Sequence, residues 1–116
     1  MITYSEALAR LNEAIPARDD VYINEGVDAA SYLARLESDL RLHLCEPFEV
    51  SAKVMQPGFP FSEAGETLHA YCIAHHAGYW LVFQPDQARF LCFWGDDVSN
   101  LGAHGVFGSP LYCWSA

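Results

Sequence analysis

Apolar positions recur at helical spacing through the first part of the chain and at alternate positions afterwards. In TYSEALARLNEAIP, Leu8, Leu11 and Ile15 share one helical face, and Thr3 and Glu6 have the spacing of a capping box. Pro16 stops the pattern, which predicts a short amphipathic helix over about residues 4–15. A polar connection, ARDDVYINEG, leads to a second helix, with Asp28 as N-cap and Ala29, Tyr32, Leu33, Leu36, Leu40 and Leu44 along one face. Arg35–Asp39 and Glu37–Arg41 are spaced for pairing on the other face, and Pro47 is the expected stop.

From Phe48 the period shortens to two. Phe48, Val50, Ala52 and Val54 alternate with Glu49, Ser51, Lys53 and Met55, the pattern of a strand buried on one side. The loop QPGFPFSEAGE follows, and its Phe59 and Phe61 are expected either to fold back as a lid on the core or to stand out as a binding knob. Strands are predicted at about 67–75, 79–84 and 88–94, joined by the short breaks HAG and PDQ, with a last one at 111–114 (LYCW). Residues 95–110 read as a long glycine-containing loop. The fold class is α+β, a single domain over residues 1–116. Two N-terminal helices pack on one face of a four- to five-stranded antiparallel meander.

The hairpin spanning Tyr79 to Trp94 is apolar on both sides. Tyr79, Leu81 and Phe83 oppose Trp80 and Val82, and Leu91 and Phe93 oppose Phe90, Cys92 and Trp94. Two short helices cover only one face of such a sheet. The other face therefore meets the 95–110 segment, a second copy of the chain, or a different partner.

Composition narrows the choice. Hydrophobic residues make up 52% of the chain and charged ones 18%, the balance of a packed globule. The net charge is −9, with eight acids and four bases over residues 1–45 and seven acids and two bases beyond. Such a surface repels phosphate backbones, so nucleic acid is not an expected partner, whereas a basic protein is attracted. No apolar run reaches the length of a membrane span, and MITYSEALAR does not read as a secretion signal, so a cytoplasmic location is expected. Cys45, Cys72, Cys92 and Cys113 form no CxxC pair and are expected to be reduced and structural.

Candidate chemistry is thin. In HAYCIAHH, a helix would bring His69, Cys72 and His76 to one face for zinc, but a strand sends Cys72 away from His69 and His75, so no metal is expected. Asp96 and Asp97 directly follow the fourth strand and read chiefly as turn formers or partner contacts. A triad of Ser99 or Cys113 with His104 and Asp97 has no flanking motif, and the glycines of 95–108 match no phosphate loop. Neither cofactor nor catalysis is expected. The leading expectation is an acidic inhibitor or immunity-type protein that neutralises a basic partner, such as a bacterial toxin domain, by stoichiometric occlusion. Trp80, Asp86, Phe90, Trp94, Asp96, Asp97 and His104 are its expected contacts. The alternatives are a small enzyme or ligand-binding domain, its pocket near the 95–108 loop and lined by Asp96, Asp97 and His104, or a structural homodimer.

Overall fold

The computed structural model describes residues 2–115. Among the described residues the order is α1 (Tyr4–Ala14), α2 (Ala29–Leu42), β1 (Leu44–Val54), β2 (Thr67–His76), β3 (Tyr79–Gln84), β4 (Arg89–Trp94), β5 (Leu101–Gly108) and α3 (Pro110–Ser115). The architecture is α+β, as the hydrophobic pattern implies, and the five strands close into a barrel in sequence order. β1 to β5 form an antiparallel meander. In an up-and-down chain the first and fifth strands run the same way, so the closing pair is parallel: Ala52, Lys53 and Val54 lie beside Leu101, Gly102 and Ala103.

Local signals account for the helix starts. Thr3 and Glu6 exchange the two hydrogen bonds of a capping box, and the Asp28 carboxylate accepts from the Ser31 backbone N–H. α2 ends at Leu42, short of the expected Pro47, because the chain is already extended at Leu44, which pairs with Ala74. The backbone N–H of His75 also donates to the His43 carbonyl. Tertiary pairing thus overrides helical periodicity, and Pro47 lies inside β1.

Two further segments differ from expectation. Residues 101–108 form a strand; Leu101 and Ala103 point inward, but three glycines interrupt the alternation that would reveal it. Gly105 is required there, since a Cβ would stand 2.6 Å from the Gly58 carbonyl oxygen. LYCW is helical rather than extended. Pro110 occupies the first helical position, and the Ser109 hydroxyl accepts from the Tyr112 N–H at 3.2 Å, the geometry of an N-cap. The Asp20 carboxylate in turn accepts from the Ser109 hydroxyl and backbone N–H, which fixes the start of α3.

There are two apolar cores, one on each side of the sheet. Val50, Val54, Cys72, Val82, Leu91, Phe93, Leu101 and Ala103 fill the barrel. Leu81, Phe83, Phe90 and Cys92 lie on the outside of the same strands and pack with Leu11, Leu40, Leu111 and Trp114 of the helices. A register shift between Cys72 and Ala74 lets Cys72 point inward while Ile73 and Ala74 both join the helix side. The second face of the Tyr79–Trp94 hairpin is therefore the barrel interior, covered by β1 and β5. Phe59 folds back over one barrel end as a lid, stacked on Phe61 at 4.9 Å and facing Phe107 at 5.9 Å. Phe61 itself carries the Arg89 guanidinium, 3.5 Å above its ring. No helix among the described residues is long and apolar enough to cross a membrane.

Phe93 fills the barrel with no exposed surface. Phe93→Ala is expected to lower the unfolding free energy by about 3–5 kcal/mol, read from urea denaturation. A separate, pH-dependent contribution to stability is expected from Glu37. Glu37 accepts from Arg41 and from Arg18, each at 3.0 Å, and these hydrogen bonds hold its carboxyl below the ordinary range. A depressed folded pKa stabilises at neutral pH and loses that contribution as pH falls through it. Glu37→Gln is expected to flatten the acid limb of stability against pH and to lower stability at pH 7. A wild-type acid limb retained in the variant would exclude this role.

Candidate functional site

The β4–β5 loop, residues 95–100, leaves the barrel between two tryptophans that point to opposite sides of the sheet. Tyr79 pairs with Trp94 and Trp80 with Phe93, so Trp94 stands outside the barrel and Trp80 closes its interior. Trp80 is half-buried; its Nε1–H donates to the Gly95 carbonyl at 2.8 Å and anchors the loop. Its ring stacks on His75 at 4.7 Å and meets the edge of Phe48 at 6.4 Å. Trp94 is half-buried between Tyr79 and His104, whose rings are steeply inclined to it with centroids 6.4 and 5.2 Å away. His104 lies over Gly102, where an added Cβ would stand only 3.2 Å from the imidazole Nε2.

Asp96 and Asp97 are both exposed. Asp97 is a turn former, accepting from the Ser99 backbone N–H at 3.0 Å and from its hydroxyl at 2.7 Å, and these bonds keep its carboxyl below the usual value. The loop therefore presents a fixed negative charge. The same geometry leaves the Ser99 triad unassembled: Ser99 meets Asp97 directly, without an imidazole between them, while His104 meets Trp94 and Cys113 is fully buried.

Of the expected contacts, the structure groups Trp80, Trp94, Asp96, Asp97 and His104 around this loop and separates the other two. Phe90 is only 4% exposed, packed against Phe83 in the helix-side core at 4.8 Å, and is unavailable to a partner. Asp86 lies in the β3–β4 turn, at the opposite end of the hairpin from Trp94, roughly 17 Å away along the strands. As expected contacts of one partner, Asp86 and the Asp96–Asp97 pair therefore lie at opposite ends of the hairpin.

Outward positions of β1 and β2 supply what the sequence reading missed. Glu49, Ser51, His69 and Tyr71 floor a trough of about 800 Å³, bounded by Val98 and Ser99 on one side and by Pro85, Asp86 and Arg89 on the other. Asp96, Asp97 and His104 are outside its lining. The Tyr71 hydroxyl donates to Glu49 at 3.4 Å, and its phenol is pushed above the ordinary value by desolvation and then by the Glu49 and Asp86 carboxylates. The signal was available in the polar half of the alternation, which the search for a core passes over. The histidines of HAYCIAHH diverge as an extended chain requires: Cys72 is inside the barrel, His69 is exposed, and His76 packs against His43 with tilted rings, centroids 4.0 Å apart. Among the described residues no three His, Cys, Asp or Glu side chains are grouped to hold a metal.

No family model matches the chain, and neither a curated protein nor a solved structure shows significant similarity to it.

All four cysteines are free thiols. Burial pushes Cys92 up to about 12 and Cys113 well above its ordinary value, and hydrogen bonding to Cys45 together with burial raises Cys72. Cys45 is partly exposed, and the neighbouring Cys72 thiol lowers its pKa. A thiol reagent is expected to label one cysteine quickly in the native protein and the other three only on unfolding, with the fast phase absent in Cys45→Ser. Rapid labelling of Cys92 or Cys113 would contradict the closed barrel and helix layer.

Proposed function

We propose that the protein is a small acidic binding module of the inhibitor or immunity type, which neutralises a basic protein partner by stoichiometric occlusion. One observation carries this reading. Glu46, Glu49, Asp96 and Asp97 are exposed on β1 and the β4–β5 loop, none of them in a salt bridge among the described residues, while half-buried Trp80 and Trp94 flank that loop. From residue 90 to the end of the chain there is no lysine or arginine. Aromatic anchors beside unpaired charge of one sign are what fast, selective capture of an oppositely charged protein requires. The partner class is a basic protein, for example a toxin domain acting in the same cell.

The support is narrower than the hydrophobic pattern alone suggests, because most of the aromatic hairpin is consumed by the two cores. What remains for a partner is the rim: Tyr79, Trp80, Trp94 and His104 with the carboxylates of the loop. A rim of this kind favours steering and orientation over a large apolar interface.

Affinity capture from the host at low salt is expected to recover a basic protein in a one-to-one complex whose own activity is suppressed. Asp96→Asn with Asp97→Asn keeps the turn acceptor and removes the charge; it is expected to slow association and weaken its salt dependence. Trp94→Phe, which keeps a packed ring, is expected to weaken the complex about tenfold, mainly through faster dissociation. Recovery of an acidic partner, or a complex indifferent to salt and to both variants, would exclude the proposal. A purified chain that light scattering shows to be a stable dimer through this face would favour the structural alternative.

A further inference from the structure

The barrel leaves one strand edge open. β1 pairs with β2 from Phe48 to Lys53, but with β5 only at Ala52–Val54. Upstream of Ala52 the strand therefore has a neighbour on one side alone. In an antiparallel pair every second residue directs its N–H and C=O away from the partner strand. Residues 48–51 thus present backbone donors and acceptors outward, and among the described residues none of these groups bonds to the β4–β5 loop opposite. The corresponding edge of β5 is filled, since the Met55 N–H donates to the Ala103 carbonyl at 2.8 Å and Gly105 abuts the Gly58 carbonyl. The trough floored by Glu49 and Ser51 reaches this edge on the side bounded by Val98 and Ser99.

Charge and side-chain alternation indicate what fits there. Glu46 and Glu49 stand exposed on the strand, and Asp96 and Asp97 on the facing loop; no lysine or arginine occurs between Arg41 and Lys53. A second copy of the chain would set carboxylate against carboxylate along the edge, which disfavours self-pairing. On the inward side the half-buried Phe48 and Trp80 form an apolar step where the barrel interior meets the edge. Pro47, which has no N–H, bounds the edge at its upstream end.

We propose that the Phe48–Ser51 edge takes an extended, lysine- or arginine-bearing segment of the partner by β-strand addition. The added main chain bonds to β1, alternate apolar side chains settle on Phe48 and Trp80, and the intervening cations face Glu46, Glu49 and the loop aspartates. The inference rests on the reading of the protein as a binder of basic proteins and names how that partner is held.

Amide hydrogen exchange on the full chain tests it, with a short alternating Lys–Val peptide as probe. Exchange at residues 48–51 is expected to slow on peptide addition. The effect is expected to vanish when alternate peptide nitrogens are methylated, because charge and side chains are kept while backbone donors are lost. Glu46→Gln with Glu49→Gln is expected to weaken peptide binding about tenfold, and an alternating Glu–Val peptide is expected not to bind. Unchanged exchange at residues 48–51, equal binding of the methylated peptide, or protection of that edge by self-association in the free protein would each overturn the proposal. A captured basic partner that leaves β1 unprotected would overturn edge pairing alone. Edge protection by the peptide with no basic partner in the host would support the edge and count against the inhibitor reading.

Discussion

The structure depends on a short parallel pairing, Ala52–Val54 against Leu101–Ala103, that closes an otherwise open meander. Parallel pairs are slightly weaker per residue than antiparallel ones, so the contribution of this one is mainly topological. It converts the inner face of the sheet into an enclosed volume that Val82, Leu91 and Phe93 can fill away from water. With the ring open, the hairpin that is apolar on both sides would bury only the face beneath the helices. Closure and the helix layer are complementary solutions to one problem, an aromatic ribbon with no polar side.

The cost of that solution is visible in the glycines and at the seam. β5 approaches the 55–59 loop so closely that Gly105 admits no side chain, and the residues that would mark the strand are correspondingly few. The register shift at Cys72–Ala74 reassigns two consecutive residues to the helix side, and this lets one strand serve both cores. β1 is longer than the stretch of β5 available to pair with it, and the mismatch produces the open edge. The proposed binding edge is thus a by-product of barrel geometry that the chain has lined with carboxylates.

Function in this molecule is confined to what the two cores leave over. Phe90, conspicuous in the sequence, is spent on packing, and so are Phe83 and Phe93. The tryptophans at the mouth of the barrel keep one side in water because the chain reverses there, and the Trp80 N–H is used to hold the loop in place. Asp97 serves the turn and the surface charge together, since the hydrogen bonds that shape the loop also keep the carboxylate ionised. A net charge of −9 spread over the whole chain attracts cations toward every face, so charge alone singles out none of them.

Much of the secondary structure was legible in order. The capping box at Thr3, the Asp28 cap and the alternation in β1 each rest on neighbours within a few residues, where periodicity and side-chain chemistry act directly. The two-sided character of the Tyr79–Trp94 hairpin was also determined by sequence, and it correctly required cover on both faces. Tertiary structure alone decided what supplied the cover. Closure joins residues some fifty positions apart, and no local pattern carries the register of such a pair. For the same reason the separation of Asp86 from Asp96, the removal of Phe90 from the surface and the free edge of β1 were invisible in one dimension. A side chain's availability depends on which distant segment lies across it, and that is settled only when the ring of strands closes.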